Sequence, residues 1–394
     1  VDERKGLTVA NTLEAIRVID TDTHVTEPPD LWTSRMPRKF ADIAPHVETN
    51  PETHHTHWRI GDRWLMAVGF YAVAGWKEHP PSTPNELDEV DPGAWLAPER
   101  LQRMDEYGIY AQVLYPNLIG FESTAFINLG AEASLACVQA YNDFITEFAS
   151  ADPDRLIPIA MLPFWDVDQS VTEMARAKEM GHRGILFANK YELIGLPSFT
   201  DPHWDKVYAA AQEMELSINF HVGFSASMDG SAKSMKNLLN SFDPSVAARG
   251  TALGLMSNAD SIAAIVTSGL CERFPRLKFV SVESGFGFIP YLMESLDWHW
   301  KGYGAKSPLL PSEYFARQCY GSFWFERQTL PLLSTYPDNF MFETDYPHPT
   351  SMSPGPASPA ELPKVHIQKA FADVPPEIAR KALHDNAAAV YHLS

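Results

Sequence analysis

Residues 17–24 read Arg-Val-Ile-Asp-Thr-Asp-Thr-His: a short β-branched run, Arg17–Asp22 (RVIDTD), that leads straight into Thr23-His24. Alternate residues of a strand point to the same side, so Asp22 and His24 project together at its end. The same plan recurs along the chain. Short apolar runs appear at Ala111–Tyr115, Leu156–Met161, Arg183–Phe187, Leu216–Phe220, Leu277–Val282, Cys319–Phe325 and Asn339–Phe342. They are continuous rather than alternating, which suits strands buried on both faces of a parallel sheet. Amphipathic helices lie between them. In Ala131–Ser150, Leu135, Val138, Tyr141, Ile145 and Phe148 step by three or four onto one face. Asp201-Pro202 opens another helix with an N-cap and a first-turn proline. Ile289, Leu292, Met293 and Leu296 stripe a third. Eight strands alternating with helices predict an α/β fold, a (β/α)8 TIM barrel, with a doubly wound open sheet as the alternative.

Two stretches break the rhythm. Residues 31–98 separate the first two strands and are read as an insertion after strand one. Within it, Trp58–Val68 reads as a hairpin around Gly61-Asp62. Residues 223–258, rich in Ser, Met and Gly, follow strand five and are a candidate lid. The expected organisation is an N-terminal extension, 1–16, and one barrel domain, 17–394.

The 394 residues exceed the usual length of one domain, but barrels routinely do so. There are 31 Lys+Arg against 50 Asp+Glu, a formal charge of −19, which argues against a nucleic-acid or anionic-membrane partner. Cys137, Cys271 and Cys319 are too few and scattered for a disulfide framework or a zinc ribbon, and fit a reducing compartment. No apolar run is long enough to span a bilayer, and Val1–Glu14 has no apolar signal core. A cytoplasmic protein is expected.

The strand ends carry the chemistry. Strand one delivers Asp22 and His24, strand five His221, strand six Glu283 and strand eight Asp345. All lie at C-terminal ends, the face on which barrel active sites are built. Two imidazoles and two or three carboxylates converging there fit a divalent metal such as zinc, with room for a bound water. Singly, each has a plainer reading: a histidine after an apolar strand is usually packed core, and an aspartate often caps a helix or turn. Their joint placement is what points to a metal. His54-His55-Thr56-His57 reads instead as a solvated loop.

Val18–Pro28 (VIDTDTHVTEP), the histidine after strand five, Ser281–Trp298 (SVESGFGFIPYLMESLDW) and Met341–Pro349 (MFETDYPHP) together resemble the amidohydrolase superfamily. The branch is amidohydrolase-2, which includes aminocarboxymuconate semialdehyde decarboxylase and aromatic-acid decarboxylases as well as hydrolases. The resemblance implies Asp22, His24, His221 and Asp345 as metal ligands. Two positions depart from the family: Asp22 stands where most members have His, and Glu283 where His is common. Lys190 lies a little late for the residue that bridges two metals in binuclear members. One divalent metal is therefore expected, zinc first with manganese or iron as alternatives, and Glu27 with Glu283 leaves a second site open.

With that set, Asp345 would hold the metal and take a proton from bound water. Glu283 would be a ligand or a general acid, and His299 a supporting member of the catalytic group. Lys190, Tyr115, Asn117 and His348 are the candidates to orient substrate. Loops rich in aromatic residues suit a small aromatic or cyclic substrate. The reading favours a metal-dependent hydrolase of an amide, ester or activated C–C bond. The sixth-strand His of the family's decarboxylases is absent, and no Arg sits at the strand ends to grip a carboxylate. The alternatives are a non-oxidative decarboxylase of an aromatic or unsaturated acid, and a metal subunit of a hetero-oligomeric, oxygen-using enzyme. A homo-oligomer, a dimer first, is expected, with a hetero-oligomer as the alternative. The insertion aromatics Trp58, Trp64, Phe70, Tyr71 and Trp76 would form its interface or roof the site.

Overall fold

The first strand, β1 (Ile19–Val25), is buried at every position, as a central barrel strand must be. The computed structural model describes residues 13–117, 125–188, 190–222 and 241–393. After β1 the chain forms an antiparallel sheet of β2 (His46–Thr49), β3 (Thr56–Ile60) and β4 (Arg63–Ala67) inside the expected insertion. The β3–β4 hairpin turns at Gly61-Asp62, as its sequence suggests. Trp58 is fully buried there, edge-on to Trp32 with ring centroids 5.3 Å apart. It is a packing residue, not part of a docking surface.

The remaining strands are β5 (Ala111–Pro116), β6 (Leu156–Ala160), β7 (Gly184–Leu186), β8 (Ser217–His221), β9 (Phe279–Val282), β10 (Cys319–Phe323) and β11 (Phe340–Phe342). With β1 they form one parallel sheet in sequential order, β1-β5-β6-β7-β8-β9-β10-β11. The sheet curls until its ends meet. Thr23 bridges Tyr346 in parallel, and the His24 N–H donates to the Tyr346 carbonyl at 2.7 Å. This is a (β/α)8 barrel, the first of the two expected architectures.

The helices between strands owe their ends to ordinary capping. The Asp166 carboxylate accepts from the N–H groups of Asp168 and Gln169 and starts the helix Val167–Glu179. The helix Ala97–Tyr107 stops at Gly108, whose φ of 76° is left-handed; a Cβ there would also lie 2.8 Å from Lys364 Cβ. The helix Ala131–Ala149 buries Val138, Tyr141, Ile145 and Phe148, each worth roughly 1.5–3 kcal/mol of apolar burial.

Inside the barrel, Ile19, Val113, Ile157, Ile159, Val280, Val282 and Met341 form an apolar cluster with Val390 and Tyr391 of the C-terminal helix Asn386–Tyr391. Three buried cysteines are free thiols. Among the described residues, no helix is long and apolar enough to cross a membrane. Residues 223–240 of the candidate lid lie outside the described residues; the rest of it includes the helix Pro244–Leu255.

Candidate metal centre

Three carboxylates, two on β1 and one just past β11, divide their roles. Asp20 anchors the barrel's closure: it accepts from the Thr344 N–H at 2.8 Å, the Thr344 hydroxyl at 2.6 Å and the Gln112 amide at 3.0 Å. Burial still pushes its pKa up to about 7. Asp22, two residues on, faces the strand ends and is fully buried. The Asp345 N–H donates to the Asp22 carbonyl at 2.9 Å, so the closing segment sets the last carboxylate beside the first.

Two histidines face these carboxylates with the same nitrogen. The Nδ1–H of His24 donates to the Pro116 carbonyl at 2.7 Å, and that of His221 to the Val222 carbonyl at 2.7 Å. These bonds fix the tautomers and leave Nε2 as the ligating atom of each ring. His24 Nε2 lies 3.3 Å from both Asp22 Oδ1 and Asp345 Oδ1, and His221 Nε2 lies 3.4 Å from Asp22 Oδ2.

These separations are long for charge-assisted hydrogen bonds, which run at about 2.7–2.9 Å. They match the edge of a tetrahedron, about 3.4 Å, when two ligands share one ion at ~2.1 Å. Both oxygens of Asp22 and Oδ1 of Asp345 accept no hydrogen bond among the described residues, although fully buried. Buried carboxylates left so are costly unless a cation sits among them. The residues present therefore fit a divalent metal. The ligand atoms of Asp22, His24 and His221 converge within 4.8 Å, as do those of His24, Asp345 and His348.

Without an ion, the cluster distorts its own titration. Burial pulls His24 down, but the Asp22 carboxylate outweighs it and raises the ring to about 10. Burial pushes Asp22 and Asp345 up; facing imidazoles overcome it and hold both below the usual carboxylate range.

Glu283 stands beside this cluster. Its nearest contact to a candidate ligand is Oε2 to His221 Nδ1 at 3.5 Å, the ring nitrogen turned away from Asp22. It belongs to neither converging group. Burial and the Asp345 charge push its pKa up to about 8. The Thr350 hydroxyl has one proton to donate and two carboxylates in reach, Asp345 Oδ2 and, at 3.0 Å, Glu283 Oε1, so it links the two groups. Glu283 and Asp345 both take left-handed backbone, φ 51° and 56°, a strain of roughly 1–3 kcal/mol each that aims their side chains across the barrel mouth.

His348 stacks on His24 with ring centroids 3.6 Å apart. Its Nδ1 lies 3.1 Å from Asp345 Oδ1 and its Nε2 3.2 Å from Asn117 Oδ1. The Asn117 N–H in turn donates to Glu27 Oε1 at 3.2 Å. Asn117 and His348 are thus brought to the cluster.

Three expected residues are not. His299 lies near the end of the helix Ile289–Gly302, exposed, its ring against Tyr303; the helix carries it away from the strand ends. Lys190 is half-buried at the start of a short turn, with no ion pair among the described residues. Tyr115 does flank His24 and His221, but its hydroxyl donates to Asn219 Oδ1 at 3.1 Å, down inside the barrel. Its ring lies beside the two imidazoles and its hydroxyl is taken up by Asn219. The His54–His57 run supplies no ligand: His57 Nδ1 bonds the Leu65 carbonyl.

Thr350 and Glu343 escape the sequence reading, whereas Tyr71 was expected among the insertion aromatics. Thr350 lies in a loop without a motif. Tyr71, from the insertion, brings its ring within 5.5 Å of His348, and burial with the Glu283 charge raises its hydroxyl to about 12. It roofs the site, as one of the two expectations for the insertion aromatics had it. Glu343, fully buried, accepts from the Glu283 N–H at 3.3 Å, and burial with the Asp22 charge raises its pKa well above the usual carboxylate range. Its signal was available: it sits two residues before Asp345.

The fold and this cluster define a metal-dependent barrel enzyme. The amidohydrolase family matches residues 19–393, and the chain belongs to it. A gamma-resorcylate decarboxylase from Polaromonas sp. (strain JS666) is 26% identical over 308 residues, covering 74% of this chain and 86% of that protein. Among solved structures, an amidohydrolase from Mycobacterium avium subsp. paratuberculosis superimposes with a TM-score of 0.73 at 21% identity, covering 96% of this chain and 98% of that one. A dihydroxybenzoic acid decarboxylase from Polaromonas sp. JS666, solved with manganese and 2-nitroresorcinol, gives 0.57 at 19% identity, with 95% and 97% covered. The curated relative is named as a decarboxylase, not a hydrolase.

Proposed function

We propose that this chain is a non-oxidative, metal-dependent decarboxylase of a small aromatic acid. The observation that carries the proposal is Glu283: a carboxyl raised to about 8, held through Thr350 beside Asp345 and outside the converging ligands. The 26% identity to a gamma-resorcylate decarboxylase supports it.

Asp22, His24, His221 and Asp345 would hold the ion. When bound, a divalent cation supplies the positive charge that grips the substrate's carboxylate and a neighbouring oxygen. That charge removes the objection that no arginine stands at the strand ends. Glu283 gives its proton to the ring carbon that bears the carboxylate. The C–C bond then breaks, its electron pair restores the aromatic ring, and CO2 leaves; the Glu283 carboxylate regains a proton from solvent. Tyr71 and His348 supply flat walls for the ring. Manganese takes precedence over zinc, because the Polaromonas decarboxylase holds manganese and a site of two imidazoles and two carboxylates accepts it.

The test is a panel of hydroxybenzoic acids offered to the manganese-loaded protein, with CO2 release followed against metal-free protein. Metal-dependent CO2 from at least one ortho-hydroxylated acid is expected. Turnover confined to amides or esters would overturn the proposal.

A further inference from the structure

Arg100 is a fully buried cation whose reach coincides with the place where the barrel closes. It lies on the helix Ala97–Tyr107. Its Nε–H donates to the Gly93 carbonyl at 2.5 Å. One terminal nitrogen donates to the Thr23 hydroxyl at 3.4 Å and to Gln112 Oε1 at 3.3 Å. The other donates to the His24 carbonyl at 2.6 Å and the Ala94 carbonyl at 3.4 Å. A guanidinium has five N–H donors in a fixed fork, and these five contacts account for all of them. No carboxylate lies within ion-pair distance of Arg100 among the described residues. Its face covers the ring of Tyr346, 4.6 Å from the centroid, a buried cation–π contact.

The two ends it touches are the ends that bear the candidate ligands. Thr23 and His24 close β1, and Tyr346 follows Asp345. The Thr23–Tyr346 bridge joins them, and Arg100 grips both sides of it. Gln112, its partner on β5, also donates to Asp20, which holds Thr344. The direct partners of Arg100 are carbonyls, a hydroxyl, an amide and a ring, while the charges of Asp20 and Asp91 act on it only from beyond ion-pair distance. We propose that Arg100 is a positioning residue for the metal centre: through the His24 carbonyl and the Tyr346 ring it sets the separation of His24 from Asp345. The inference rests on the reading of Asp22, His24, His221 and Asp345 as the ligands.

The experiment measures Mn2+ affinity of the metal-stripped full chain by titration calorimetry, alongside its thermal midpoint. The variants are Arg100→Lys, Arg100→Met and, as a control, Met174→Ala, a buried change on the helix Val167–Glu179. Lysine keeps the charge but lacks the planar fork. Both Arg100 variants are expected to bind Mn2+ at least ~10-fold more weakly, the range seen when groups that orient ligands are lost. Met174→Ala should lower the midpoint without moving affinity. If Arg100→Lys binds within twofold of the parent, or Met174→Ala weakens binding as much, Arg100 acts only on the fold and the inference is wrong. Should Arg100→Met prove insoluble, Arg100→Lys alone decides. If the unaltered chain binds no Mn2+, the ligand reading fails first.

Discussion

The backbone N–H of Asp345 donates to the backbone carbonyl of Asp22 at 2.9 Å, and this one bond fastens the chain's last candidate ligand to its first. The two carboxylates are 323 positions apart in sequence and share the His24 imidazole at 3.3 Å each. The site exists only when the barrel is closed, so metal binding and closure should be linked.

Loss of a ligand should therefore remove the ion and leave the fold. His24→Ala, His221→Ala and Asp345→Asn should each weaken metal binding by at least ~100-fold, beyond the effect of losing an orienting group. Elemental analysis of dialysed protein checks the first part and far-ultraviolet circular dichroism the second. Full metal content in His24→Ala and His221→Ala would mean that other residues bind it.

Glu283→Gln separates the acid from the ligand role. Glutamine keeps the shape but cannot deliver the proton, so metal content should hold while kcat falls roughly 10²–10⁴-fold. Metal lost together with activity would make Glu283 a ligand.

The metal-free protein should lose stability as pH rises. His24 has a folded pKa of about 10 against an ordinary 6.5, so its contribution is complete below 6.5 and disappears as pH rises through 10. Asp20, at about 7, and Glu283, at about 8, are raised carboxyls, and their contributions fade between about pH 4 and those values. Asp22 and Asp345 are lowered, so theirs fade only on acidification below about pH 4. Calorimetric melts of the stripped protein should show a midpoint that falls from pH 5.5 to 9. Saturating Mn2+ should flatten that slope. A midpoint that rises over the same range would contradict the cluster's geometry.

His299→Ala, and His55→Ala with His57→Ala, should change metal content and kcat/KM by less than twofold. His299 is exposed, and His57 is bonded within the β3–β4 hairpin. A tenfold loss in His299→Ala would return that residue to the catalytic group.

The barrel was legible because most of its strands are apolar runs, which suit burial on both faces of a parallel sheet. β2 was not, because His46–Thr49 (HVET) is a half-exposed outer strand with no apolar pattern. The strand-end groups Asp22, His24, His221, Glu283 and Asp345 were legible because strand direction alone puts them on one face. Thr350 reaches the site from a loop, whose path no periodicity reveals, and Tyr71 was legible only as one of several insertion aromatics with two possible uses. Tyr115 shows the opposite limit: its position was right, but Asn219 below it claimed the hydroxyl. His299 was placed on the helix after strand six, and that helix turns it to solvent.

The central claim is that Glu283 protonates carbon and that no water is added to the product. Turnover of an ortho-hydroxylated benzoic acid by the manganese-loaded protein in D2O, with the product examined by mass spectrometry and NMR, tests it most directly. The account predicts one deuterium at the ring carbon that carried the carboxylate, one CO2 per product, and no ¹⁸O from labelled water in the arene. Products that carry ¹⁸O with no ring deuterium and no CO2 would contradict it and identify a hydrolase.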